Sequence, residues 1–87
     1  MTSPQRYELL YTRRALRDVD CLDPVARKRL ARRLEALRLD PLGLSQKLVN
    51  SKIGQYRCRF GDYRVVFDLH GRGIVVLRVG HRREIYR

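Results

Sequence analysis
The stretch Tyr56-Arg57-Cys58-Arg59-Phe60-Gly61-Asp62-Tyr63-Arg64 alternates apolar and cationic residues. Successive strand side chains point to opposite faces, so Tyr56, Cys58 and Phe60 share one face and Arg57 and Arg59 the other. Gly61-Asp62 is a pair that tolerates a tight hairpin turn. If Phe60 pairs with Tyr63, Arg59 faces Arg64 across the hairpin and Arg57 lies one diagonal away. Like charges directly opposite destabilise a sheet, so this arrangement calls for a bound anion or full exposure to water. A second hairpin is expected at His70-Gly71-Arg72-Gly73. Pairing His70 with Gly73 carries Val66 to Leu77 and Arg64 to Val79. That register puts Val79 and His81 on the arginine face, with Arg82, Arg83 and Tyr86 just past the strand end.

Upstream, Tyr7 to Thr12 predicts a first strand. Thr12 caps a helix over Arg13 to Leu22 whose apolar stripe is Ala15, Leu16, Val19 and Leu22. Asp23-Pro24 is a sharper signal, an N-cap followed by proline at the first helical position. The helix it opens runs to about Leu39 and buries Val25, Ala26, Leu30, Leu34 and Leu37, leaving its arginines on a solvated face. Asp40-Pro41-Leu42-Gly43 stops that helix. Leu44 to Ile53 connects to the sheet, with Leu48 and Val49 as anchors. The expected fold is α+β in the order β-α-α-β-β-β, a helical hairpin packed on one face of an antiparallel sheet, with arginines on the other.

A chain of 87 residues makes one domain, residues 1–87, because it buries only about 60–65% of its unfolded surface and cannot support two cores. Its formal charge is +11, with 10 basic against 6 acidic residues up to Asp40 and 10 against 3 beyond it. Only Lys28, Lys47 and Lys52 are lysines, and arginine is the cation whose planar fork matches phosphate. Nucleic acid is therefore the expected partner. No long apolar run and no secretory pattern at the N-terminus are present, so no membrane partner and a cytoplasmic location are expected. Cys21 and Cys58 match no metal spacing, and Cys58 falls on the apolar face as a small buried residue.

Cleaving RNA without a metal or cofactor takes a base for the 2′-hydroxyl, cations for the dianionic phosphorane, and an acid for the departing 5′-oxygen. Arg57, Arg59, Arg64 and Arg82 can supply the cations. For the base, Tyr86 and His81 are both candidates: cations favour a phenolate, and imidazole titrates near neutrality. The basic face carries no acidic pair, which argues against a glycosidase-like or carboxylate-metal site.

Four segments together resemble the RelE/ParE superfamily of bacterial toxin–antitoxin toxins: Lys47-Leu48, Tyr56-Arg57-Cys58-Arg59, Gly61-Asp62-Tyr63-Arg64-Val65-Val66-Phe67, and Val79-Gly80-His81-Arg82-Arg83-Glu84-Ile85-Tyr86. The resemblance covers nearly the whole chain and implies a microbial-RNase-like fold. In the RelE-like branch it implies ribosome-dependent, metal-independent cleavage of mRNA in the A site, by 2′-hydroxyl attack on the adjacent phosphate. It also implies a cognate antitoxin partner that silences the toxin in a hetero-oligomer. Tyr86 then matches the family's proposed general base, and Arg64 and Arg82 match its phosphate-holding arginines. Arg57 and Arg59 fall where that branch typically has lysines; arginine effectively never deprotonates, so they suit charge stabilisation and RNA docking better than acid catalysis. Lys47, Lys52 and Arg83 complete the expected nucleic-acid contacts. Two other functions are compatible with the same fold, a ParE-like DNA gyrase inhibitor without nuclease activity and a non-catalytic RNA- or ribosome-binding module. The arginine-plus-tyrosine set favours the nuclease.

Overall fold
In the computed structural model, which describes residues 6–49 and 51–85, the chain forms β1 (Glu8–Tyr11), α1 (Arg13–Asp20), α2 (Pro24–Leu39), β2 (Gln46–Lys47), β3 (Tyr56–Phe60), β4 (Tyr63–His70) and β5 (Gly73–His81). The strands build one five-stranded sheet in the order β1-β5-β4-β3-β2. Both helices cover one of its faces. The α+β class and the helical hairpin on one face match expectation, and two features correct the expected antiparallel sheet. A two-residue strand, β2, pairs antiparallel with β3, and β1 runs parallel to β5, so the sheet is mixed.

Capping defines the helices. Thr12 accepts from the Ala15 amide at 3.0 Å to open α1, and Asp23 accepts from Ala26 at 2.8 Å to open α2, with Pro24 behind it. The buried ridge of α2 is Ala26, Leu30, Leu34 and Leu37, which packs on Cys58, Phe60, Val65, Phe67, Ile74, Val76 and Val79. Val25 is 63% exposed, because it sits one residue, about 100° of helix, off that ridge. Leu16 is likewise 52% exposed: α1 lies at the sheet edge and buries only Ala15 fully. In the connection to β3, Val49 is 81% exposed and Leu44 packs on the core in its place, with Leu48 half-buried.

The β3–β4 hairpin has the expected register, Phe60 with Tyr63 and Arg59 with Arg64, and Gly61 takes the left-handed conformation (φ 62°) that the turn needs. The β4–β5 hairpin starts as expected at His70 and Gly73 and stays in register to Phe67 and Val76. There the register shifts: Val66 pairs with Arg78, Val65 with Val79, Arg64 with Gly80 and Tyr63 with His81. Leu77 is an extra residue, a β-bulge. A one-residue slip moves every following side chain to the other face. Val79 therefore enters the core at 2% exposure, His81 turns to the helix side, and Gly80 takes the place on the arginine face that the straight register gave to Val79.

The bulge lies where β5 changes neighbour. Tyr11 is the last β1 residue paired with β5, at Val76. The Thr12 amide then donates to the Val76 carbonyl at 3.1 Å, and the Thr12 hydroxyl donates to the Leu77 carbonyl at 3.1 Å. Past that point the Asp18 carboxylate accepts from the Val79 amide and from Arg78 Nε, both at 2.9 Å, and Arg14 stands 3.5 Å from its other oxygen. Two side chains of the strand–helix junction thus continue the hydrogen bonding that β1 leaves off. On the open face, Gly54 lets the loop before β3 lie on Val66 and Leu77; a Cβ there would come within 2.5 Å of Val66 Cγ1.

An eight-residue helix is far below the length that is stable by propensity alone, so α1 depends on these contacts. Asp18→Ala removes the acceptor of a β5 amide and of Arg78. It should lower stability by about 1–3 kcal/mol, and Asp18→Asn should recover part of the loss, as read by denaturant unfolding.

Candidate nucleic-acid interface
The face of the sheet turned away from the helices carries Arg57, Arg59 and Arg64. Arg64 is 8% exposed, and its Nη1 donates to the carbonyls of Gly61 (3.1 Å) and Tyr63 (2.9 Å). Its guanidinium is folded over the hairpin turn, so the Arg59–Arg64 pair does not stand charge against charge. Arg59 is exposed. Arg57 is half-buried and donates to Gln46 Oε1 on the edge strand β2. The ion pairs Arg14–Asp18, Arg78–Asp18 and Arg38–Glu35 all draw their carboxylates from the helices.

Gly80 lies opposite Arg64, and a Cβ built on it meets nothing within 4 Å. The row Arg59–Arg64–Gly80 therefore ends in a residue that adds no side chain beside Arg64. Arg82 is brought to the same end of the sheet, because its amide donates to the Asp62 carbonyl at 2.8 Å in the β3–β4 turn. Arg83 is exposed on the same C-terminal turn; Lys47 is exposed on β2 and Lys52 in the loop before β3. Tyr86 lies outside the described residues. His81 is not on this face; it packs edge-on against Tyr63 on the helix side, with centroids 5.7 Å apart, because of the bulge.

Three contributors were not evident from the sequence. Arg33 of α2 joins Arg57, Arg59 and Gln46 around a cavity of about 380 Å³ at the β2 edge. The sequence shows Arg33 as one of many helical arginines, and no periodicity marks which reaches the sheet. Gln46 became visible only once β2 existed, and Gly80 only once the bulge did. Cys58 is buried on the core face; burial pushes its thiol pKa up, partly offset by Arg33, which leaves it a packing residue rather than a nucleophile.

An exposed arginine paired across the hairpin with a held one can contact an anion and stabilise added negative charge on it. Residues 9–86 match the sequence model of the ParE toxin of the type II toxin–antitoxin system parDE. Toxin RelE3 of Methanocaldococcus jannaschii is 29% identical over 83 residues, which span 91% of this chain and 94% of that protein. Among solved structures, the toxin–antitoxin complex RelBE2 from Mycobacterium tuberculosis superposes with a TM-score of 0.80 at 28% identity, over 88% of this chain and 99% of the matched one. The RelB–RelE antitoxin–toxin complex from Methanococcus jannaschii gives 0.71 at 28% identity, over 88% and 94%. The chain is a toxin of a type II toxin–antitoxin system and belongs to the RelE/ParE superfamily.

Proposed function
We propose that this toxin is a ribosome-dependent endoribonuclease that cuts mRNA in the A site, acting in the cytoplasm and silenced by a cognate antitoxin. The observation that carries the reading is the convergence of Arg59, Arg64, Gly80 and Arg82 at one end of the open sheet face. In the proposed reaction the 2′-hydroxyl gives its proton to a base and its oxygen attacks the adjacent phosphorus. The bond from phosphorus to the 5′-oxygen then breaks, leaving a 2′,3′-cyclic phosphate and a 5′-hydroxyl. Tyr86 is the proposed base. Arg64 is already oriented by the turn carbonyls, so holding a phosphate there costs little reorganisation. In this reading Arg59 and Arg82 add charge to the phosphate site, and Arg57 with Lys47, Lys52 and Arg83 docks the flanking strand. Because arginine keeps its proton, the 5′-oxygen departs with electrostatic help or takes its proton from another group.

The antitoxin assignment draws on the solved relatives, whose structures are complexes of toxin with antitoxin. An acidic segment laid over the arginine face would neutralise it. A second reading, gyrase inhibition, is favoured by one observation, that the matching family model is that of the ParE toxin.

In a cleavage assay with purified ribosomes and a chelator present, wild type should cut the A-site codon. Tyr86→Phe should slow cutting at least about 100-fold, the lower range of a general-base contribution, with ribosome binding retained. Arg64→Ala should weaken both binding and cutting. Absence of cleavage by a folded protein that arrests growth would overturn the nuclease reading, and inhibition of gyrase supercoiling would establish the second one.

Gly80→Val tests whether the place opposite Arg64 must carry no side chain. The Cβ meets nothing within 4 Å, so thermal stability should stay near wild type, while cleavage should fall at least about tenfold if a charged phosphate contact is lost there. Equal cleavage by Gly80→Val and wild type would show that no phosphate sits beside Gly80.

A further inference from the structure
His81 is a strand-end residue whose ring faces away from the arginines, yet its place in the hydrogen bonding is specific. Its Nδ1 accepts from the Arg83 amide at 3.2 Å. Its carbonyl accepts from the Glu84 amide at 2.9 Å and the Ile85 amide at 3.1 Å. A residue whose carbonyl receives the first amides of a turn, and whose side chain receives the amide two residues on, acts as an N-cap does at a helix start. The turn it caps runs over Arg82–Ile85. The turn is fixed at its start by the Arg82 amide on the Asp62 carbonyl and at its end by Ile85, which is fully buried. The ring is held edge-on to Tyr63, so the cap and the core share one side chain.

We propose that His81 is a positioning residue: its Nδ1 caps the turn over Arg82–Ile85 and holds Arg82 against the phosphate site. The claim rests on the nuclease reading for its catalytic consequence and on the cap geometry alone for its structural part. Accepting at Nδ1 fixes the neutral imidazole as the Nε2–H tautomer, so neither ring nitrogen of the capping form is a base for the 2′-hydroxyl. The charged and titratable groups around the ring are Arg14 and Asp18 of α1, Cys21 after α1, Tyr63 of β4, Arg78 of β5 and Glu84 of the turn, which line a cleft of about 520 Å³ with it. Asp18 is held by the Val79 amide and Arg78, so its charge is spoken for by the bulge.

Two substitutions separate capping from the alternatives. His81→Asn places an amide oxygen the same number of bonds from the backbone as Nδ1, an acceptor that does not titrate. His81→Phe keeps a ring against Tyr63 and removes the acceptor. Hydrogen-exchange protection of the Arg83 amide should fall about fivefold in His81→Phe, an N-cap's usual contribution, and be retained in His81→Asn. On ribosomes, His81→Phe should lose at least about fivefold in kcat with little change in KM, and His81→Asn should stay within about twofold of wild type. An Asn variant as slow as the Phe variant would overturn the proposal and point to imidazole chemistry. Arg83 protection indifferent to His81→Phe would overturn the cap itself. If wild type cuts no RNA, the nuclease reading fails separately, and the Arg83 amide still decides whether His81 caps. If His81→Phe does not fold, His81→Ala, which also lacks the acceptor, takes its place.

Discussion
The edge of β5 depends on a change of partner. For four residues it is paired to β1, and past Val76 its carbonyls and amides are taken by Thr12 and Asp18. A buried edge cannot leave polar backbone groups unmet, since each costs on the order of 1–3 kcal/mol. Asp18 is fixed on a short helix, and the backbone of β5 has to come to it. The inserted residue at Leu77 lets the strand do so. One consequence is that Thr12 has two roles, capping α1 with its oxygen and holding β5 with its hydroxyl hydrogen.

That local solution sorts the end of β5 between two environments. Val79 gains a place in the core, where a fully buried valine contributes about 1.5–3 kcal/mol. Gly80 falls opposite Arg64, and His81 falls opposite Tyr63 on the helix side. In a straight ladder Val79 would have stood beside Arg64 and filled the space where an anion could sit. The bulge therefore serves packing and leaves the polar face open with the same residue. Arg64 shows how the face tolerates its charge: the turn carbonyls of Gly61 and Tyr63 supply partial negative charge to a guanidinium that is almost wholly removed from water. Charge-assisted bonds of this kind are stronger than neutral ones, and they leave Arg64 with a fixed orientation rather than a flexible reach.

Much of this was legible in the residues. The caps at Thr12 and Asp23, the ridge of α2 and both hairpin turns follow from local chemistry, in which one residue and its neighbours within four positions decide the outcome. The alternation from Tyr56 to Phe60 placed the arginines on the open face without any structure. Beyond Val76 the sequence failed, because periodicity along β5 carries no sign of where β1 stops. The information sits in Thr12 and Asp18, about 60 residues away, and a bulge has no composition of its own when the inserted residue is a leucine. Val25 and Leu16 were misplaced for a related reason: an apolar residue near a helix end satisfies the periodic pattern whether or not a partner surface lies beneath it.

Arginine in place of lysine at Arg57 and Arg59 bears on how the site would work. A lysine in such a cluster can lower its pKa under the pressure of its neighbours and shed its proton, easing the repulsion and serving as an acid. Arginines have no such exit, so the repulsion must be met by geometry. The structure meets it by holding Arg64 on the hairpin turn, tethering Arg57 to Gln46 and leaving Arg59 in water. What remains is a surface whose positive charge is insensitive to pH across the physiological range. The arginine face itself then contributes no titration, so any pH dependence of the toxin has to come from groups outside the arginine set.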